Sequence, residues 1–265
     1  LEMILLFESE MEKHADVIRP VYSYADIEQN QADGVMSALL TGEEGEITMG
    51  NPDFLYFLYK LGMRMMTLTW NYENSLGFPN VRLDKKTSAS SDRYCLSQNK
   101  GLKEQGIVFL EEMERLGMII DVSHLSDAGF YDVLEHTTKP FVASHSNARS
   151  VCPAVRNLTD DMVRRLAERG GITGINFCKE FLGKPDVSQN YLDQAVVHMK
   201  YLMNLGGEDF VALGSDFDGI TRYHDLSDCS VMPKLVHTMK KAGLTPTQIE
   251  KICYKNTLRV YRELL

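Results

Sequence analysis

The feature that most constrains this chain is an alternation, repeated about six times, of short continuous apolar runs with longer amphipathic stretches. The runs cover residues 35–41, 63–70, 117–124, 140–146, 171–177 and 210–218. Between and after them lie segments with helical periodicity, 52–61, 103–116, 128–135, 160–169, 191–205 and 246–264. Ser126-Asp127 and Thr159-Asp160-Asp161 are helix-start signals, and Gly62, Gly117 and Gly170 follow helix ends. Runs that are apolar throughout, rather than at every second position, describe strands buried on both faces, hence a parallel sheet wrapped by helices. Periodicity alone fits a barrel or an open doubly wound sheet, and 265 residues suit a single barrel-sized domain over 1–265.

Composition removes several functions. Lys and Arg number 28 against 37 Asp and Glu, a net charge of −9 that disfavours a polyanionic partner, so no nucleic acid is expected. No apolar stretch approaches the roughly 18 residues of a membrane span, and Glu8, Glu10 and Glu12 follow the apolar opening at once, so neither a membrane segment nor a signal peptide is expected. Five cysteines without C-x-x-C spacing argue against a disulfide framework or a thiolate zinc site and point to a reducing cytoplasm. No G-x-G-x-x-G follows any run, and Gly42-Glu43-Glu44-Gly45 is too acidic to hold a phosphate. Residues 71–101 read as a long loop that shapes a pocket.

Four runs end in chemically capable residues: Glu43-Glu44, Asp121-Val122-Ser123-His124, Ser144-His145-Ser146 and Ser215-Asp216-Phe217-Asp218. Parallel strands deliver their C-terminal ends to one rim, so these groups converge. Two imidazoles with a carboxylate are a donor set for zinc that leaves a coordination position open. Each residue also has a plainer reading: a hydrogen-bonded strand-end histidine, an aspartate closing a turn, a solvated acidic turn at Glu43, Glu44 and Glu46.

Five ordered motifs extend the argument: Leu61-Gly62-Met63-Arg64 with Leu68-Thr69-Trp70-Asn71; 116–124 ending Asp121-Val122-Ser123-His124; Ala143-Ser144-His145-Ser146-Asn147-Ala148-Arg149; Arg156-Asn157-Leu158-Thr159-Asp160; and Gly214-Ser215-Asp216-Phe217-Asp218-Gly219. In these the chain resembles the renal (membrane) dipeptidase family of zinc metallopeptidases, in a bacterial-type branch, over nearly its whole length. The resemblance implies an amidohydrolase-type (β/α)8 TIM barrel, with about six of eight strands visible, that hydrolyses dipeptides as a metallodipeptidase. It implies that Glu44 bridges two zinc ions, that His124 and His145 complete one of them, that Asp216 is the acid–base group, and that Arg156 grips the substrate's C-terminal carboxylate. A homodimer is implied as well.

Two departures qualify the resemblance. Trp70 and Asn71 stand where mammalian relatives carry a histidine, leaving Asn71 as a candidate donor to the substrate carbonyl. The family's His-x-Asp on a first strand has no counterpart here. His14-Ala15-Asp16 lies in a stretch, with 8–13, that reads as a helix, and residues two apart on a helix point about 200° away from each other, so the two cannot both reach one ion. One complete metal site is therefore expected. The competing readings are another amidohydrolase-type hydrolase acting on lactones or phosphoesters, and a catalytically silent truncated barrel.

Overall fold

The computed structural model describes residues 1–80, 100–186, 190–221 and 225–265. It opens with α1 (Glu2–Lys13), β1 (Ile18–Val21), α2 (Tyr24–Ala32) and β2 (Met36–Leu39), and β1 and β2 pair as a two-stranded parallel sheet. The principal sheet follows: β3 (Thr41–Glu43), α3 (Pro52–Lys60), β4 (Met65–Thr67), α4 (Glu104–Leu116), β5 (Ile119–Asp121), α5 (Asp127–His136), β6 (Val142–Ala143), α6 (Asp160–Glu168), β7 (Ile172–Asn176), α7 (Lys179–Leu182), α8 (Tyr191–Gly206) and β8 (Val211–Ser215). The chain ends with α9 (Met232–Lys241), α10 (Pro246–Glu250), a π-helical turn over Lys251–Lys255 and α11 (Asn256–Leu264).

The six strands β3 to β8 are parallel and lie side by side in chain order. That order belongs to a barrel; a doubly wound sheet reverses direction at a switch point. The expected α/β class with a parallel sheet is what the chain adopts. Two details differ from the sequence expectation. The first run, 35–41, straddles β2 and β3, so the principal sheet begins at Thr41 and ends its first strand on Glu43. The stretch 246–264 is not one α-helix, because the π turn divides it and sets Asn256 to donate from Nδ2 to the carbonyls of Glu208 and Val211, fastening α11 beneath β8. Of the loop expected over 71–101, residues 81–99 lie outside the described residues.

Why the runs are apolar throughout is now visible. Met66, Ile120, Ala143, Ile175 and Val211 pack into the large core shared with the surrounding helices. Ile119, Val142, Ile172 and Ala212, on the other face, pack on Val260 and Leu264 of α11. Fully burying each large aliphatic side chain contributes about 1.5–3 kcal/mol, so both faces bind the sheet in place. The helix signals behave as their chemistry requires: Ser126 and Thr159 accept from the backbone N–H of Gly129 and Met162, and Gly117 takes φ 75° at the end of α4.

Candidate metal centre

Strand ends set the chemistry. Glu43 closes β3, His124 lies just past β5, His145 just past β6, and Asp216 just past β8. Glu43 Oε1 stands 2.9 Å from His124 Nε2 and 3.7 Å from His145 Nε2, and the two Nε2 atoms are 2.9 Å apart. Both imidazoles are buried, whereas the Glu43 side chain reaches in from a part-exposed position.

Hydrogen-bond partners decide where the ring protons sit. Asp121 is wholly buried; burial raises its pKa, but its attraction to the His145 ring and the hydrogen bonds from Ser144 and Thr67 outweigh that and hold it below the ordinary aspartate value. As a carboxylate it only accepts, taking the Ser144 hydroxyl proton at 2.6 Å and the Ser123 hydroxyl proton at 2.8 Å. Ser144 Oγ therefore accepts from His145 Nδ1–H at 2.7 Å. His124 Nδ1 faces the Asn71 amide oxygen at 3.2 Å and donates to it. Both Nε2 atoms are left with bare lone pairs aimed at each other and at a carboxylate oxygen. A second ring proton is no remedy, because burial and then the nearby Arg156 cation push His124 well below 6.5 and lower His145 too. Three converging electron-pair donors, two nitrogen and one oxygen, fit a divalent cation of zinc type.

The carboxylate in this cluster is Glu43, not the Glu44 expected from sequence. Glu44 turns away, its Oε2 accepting from Trp70 N at 3.1 Å and from Asn74 Nδ2 at 2.6 Å, and burial raises its pKa against those bonds. Neighbouring residues at a strand end face different ways, and Glu43 shares its side of β3 with Thr41 and pairs in register with Thr67, next to the Asp121 layer. Counting by twos from Thr41 would have found it. His14 sits at the end of α1, 3.5 Å from the Glu10 carboxylate, outside the cluster, as expected of the His-x-Asp there.

A cleft of about 430 Å³ opens over the cluster, with Glu43, Trp70, Asn71, His124, Arg156 and Asp216 in its lining. Asp216 has φ 67° and is flanked by Ser215 at 24° and Asp218 at 69°, three non-glycine residues in a costly backbone region, as at sites where geometry serves function. Asn176 Nδ2 donates to Asp216 Oδ2 at 3.0 Å, and a Cβ at Gly219 would collide with Asp216 Oδ1, so glycine there leaves the carboxylate its room. Burial raises the Asp216 pKa, opposed by its attraction to the His145 ring and by the Asn176 bond.

Arg156 is 2% exposed, and burial lowers its pKa to about 10. Its Nη1 reaches Ser146 Oγ at a long 3.5 Å, while Nε and Nη2 have no partner. Sequence reasoning did not single out Asp121, Ser144 and Asn176 as the groups that orient His145 and Asp216. Cys152, Cys178, Cys229 and Cys253 are unpaired thiols. Among the described residues no helix is long and apolar enough to cross a membrane.

Comparison with known proteins bears on this site. The model of a family described as membrane dipeptidase, peptidase family M19, matches residues 1–264. An uncharacterised protein from the 5′ region of pqqA in Klebsiella pneumoniae is 36% identical over 250 residues, 93% of this chain and 89% of that protein. Dipeptidase tcpJ of Claviceps purpurea is 32% identical over 265 residues, 99% of this chain; the chain spans 59% of that protein's length. A metallopeptidase from Rhodobacter sphaeroides, solved with a phosphinate mimic of the dipeptide L-Ala-D-Ala, superposes with a TM-score of 0.86 at 29% identity, over 98% of this chain and 72% of that one.

Proposed function

The chain belongs to the membrane dipeptidase family, peptidase family M19, and from that premise we propose that it hydrolyses dipeptides with the help of a zinc ion held by Glu43, His124 and His145. The observation that carries the reading is the pair of bare Nε2 lone pairs meeting a carboxylate oxygen beside a buried, half-unpartnered guanidinium. Zinc bound there supplies Lewis acidity toward the scissile carbonyl and a water acidified to near neutrality.

The chain's own residues do the rest. Nε and Nη2 of Arg156 share one edge of the guanidinium, and that edge is the part free to take a carboxylate by two parallel hydrogen bonds. Ser146 Oγ makes a long contact with the opposite nitrogen, Nη1. A free α-carboxylate seated there places the peptide bond of a two-residue substrate toward the histidines. Asp216, with its raised pKa and its carboxylate fixed by Asn176, is suited to carry a proton to the departing amine. Asn71 spends its amide oxygen on His124, so its Nδ2 is the group left to donate toward the substrate carbonyl.

The test is amino-acid release from Ala-Ala and from its C-terminal amide by the zinc-supplemented chain. Two charge-assisted bonds to Arg156 predict that the amide is cleaved at least about a hundredfold more slowly. Equal rates on the two, or turnover of lactones or phosphoesters with none of dipeptides, would overturn the reading.

A further inference from the structure

The wall of the cleft beside Arg156 is α7, a single helical turn, and it is held with unusual completeness. Its carbonyls, which a short helix leaves unpaired, are each taken by a neighbour. Cys152 Sγ donates to Glu180 O at 3.4 Å, Asn157 Nδ2 to Phe181 O at 2.9 Å, and Gln194 Nε2 and His198 Nε2 to Leu182 O at 3.0 and 2.9 Å. At its start, Cys178 N donates to Asn176 Oδ1 at 2.7 Å, the same side chain that fixes Asp216. The turn is thus rigidly placed relative to both the acid and the guanidinium.

Three side chains of this segment line the cleft: Cys178, Glu180 and Phe181. The Phe181 ring centroid lies 5.4 Å from the guanidinium carbon of Arg156. Cys178 Sγ donates to Glu180 Oε2 at 3.0 Å. Burial first, and then Glu180, push the thiol up to about 12, so it stays neutral. The other oxygen, Oε1, faces Lys179 at 3.9 Å, a loose pair in which both side chains are about half exposed and which contributes little. Among the described residues, the cleft's lining therefore sets three carboxylates, Glu43, Asp216 and Glu180, against one guanidinium. Glu43 faces the imidazoles and Asp216 faces Asn176, which leaves Glu180 as the acidic group on the wall that a substrate side chain passes.

We propose that Glu180, held by Cys178 on the fixed turn α7, is a specificity-determining residue that selects dipeptides whose C-terminal residue carries a cationic side chain over those carrying an acidic one. This rests on the assignment of Arg156 to the substrate's α-carboxylate. A residue held by that carboxylate branches at the next carbon, against Phe181. The methylenes of a lysine or arginine lie along the ring, and the charged head reaches the carboxylate beyond it, the way such side chains bury the stem and keep the head polar. An aspartate or glutamate side chain there meets a like charge.

Trp70, the single tryptophan of the chain, lines the same cleft and reports its occupancy without turnover. In the zinc-supplemented full chain, fluorescence titration with L-lysine and with L-glutamate is expected to show lysine binding roughly 3–5-fold tighter, the upper part of the range for one part-exposed charge pair. Glu180→Gln brings the ratio toward one and Glu180→Lys reverses it; circular dichroism verifies that these surface variants are folded. A wild-type ratio within about twofold, no saturable signal with either amino acid, or a ratio untouched by Glu180→Gln each overturn the proposal. Cleavage of Ala-Ala is followed in parallel. Preference for lysine without dipeptide cleavage sinks the proposed activity and leaves the subsite standing, whereas cleavage with a flat ratio does the opposite.

Discussion

Replacing Asp121 by asparagine asks whether the proton positions at the centre are set from behind. Asp121 accepts from Ser123 N at 3.1 Å, Ser123 Oγ at 2.8 Å, Ser144 N at 2.8 Å, Ser144 Oγ at 2.6 Å and Thr67 Oγ1 at 2.6 Å. The two backbone donors cannot turn, so asparagine keeps its oxygen toward them and presents its NH2 to the hydroxyls of Thr67 and Ser144. Two charge-assisted bonds are lost and two hydroxyls must rotate, a destabilisation of about 2–4 kcal/mol. At this chain length that is a fall in Tm of roughly 4–16 °C.

The sharper consequence falls on the metal. Once Ser144 no longer gives its proton to a carboxylate, it can give it to His145 Nδ1, and the ring proton then moves to Nε2, where it blocks the lone pair. Loss of such an outer hydrogen-bond partner lowers metal affinity about 10–100-fold. Chelator competition measures the zinc Kd, and ¹⁵N imidazole shifts show which nitrogen of His145 carries the proton. Thr67→Val is the control: it removes a bond to the same carboxylate but leaves Ser144 bonded to it, so stability falls by about 1 kcal/mol or more while affinity changes little. An Asp121→Asn protein that is folded, binds zinc within about threefold of wild type and keeps His145 Nδ1–H would refute the reasoning.

Further outcomes follow from the same geometry. Glu43→Gln lowers zinc affinity by more than the roughly 10–100-fold typical of outer partners, and Glu44→Gln, whose amide oxygen can still accept from Trp70 and Asn74, by less; metal analysis after dialysis separates the two. Arg156→Met removes two unpartnered buried donors and is expected to raise Tm while abolishing the preference for a free C-terminus, the stabilisation being about 1–3 kcal/mol. His198, wholly buried, donates to Leu182 O and accepts from Ala148 N, and burial lowers its pKa from 6.5 to about 4. Between those values the unfolded chain binds the extra proton, so stability present above pH 6.5 is lost as pH falls toward 4, by up to about 3 kcal/mol. Thermal melts across that range should show the slope, and His198→Gln should flatten it.

What could be read from the sequence followed burial. β4 to β8 are covered on both faces, so their runs are continuously apolar and their positions were plain. β1 reads Ile18-Arg19-Pro20-Val21, with an arginine and a proline in a strand paired on one side only, and composition of that kind marks an edge rather than a core strand. The Gln- and Asn-rich turns of α2 have weak periodicity, and only the capping box formed by Ser23 and Asp26 announces it.

The histidines were legible for a different reason than the groups that orient them. His124 and His145 each follow their own strand, and strand ends meet on one rim whatever the details of packing. Asp121 also stood in plain view, in the motif that ends at His124, yet its role depends on partners from two other strands. Thr67 is in register with Asp121, and Asp121 with Val142, two residues before Ser144 on the same face. The layer that orients His145 is therefore a property of register across β4, β5 and β6. A slip of one residue in either pairing would turn Thr67 or Ser144 outward and leave Asp121 a buried charge short of donors. Local sequence specifies the donor types at the rim; the direction of their protons is written in the pairing of the strands below.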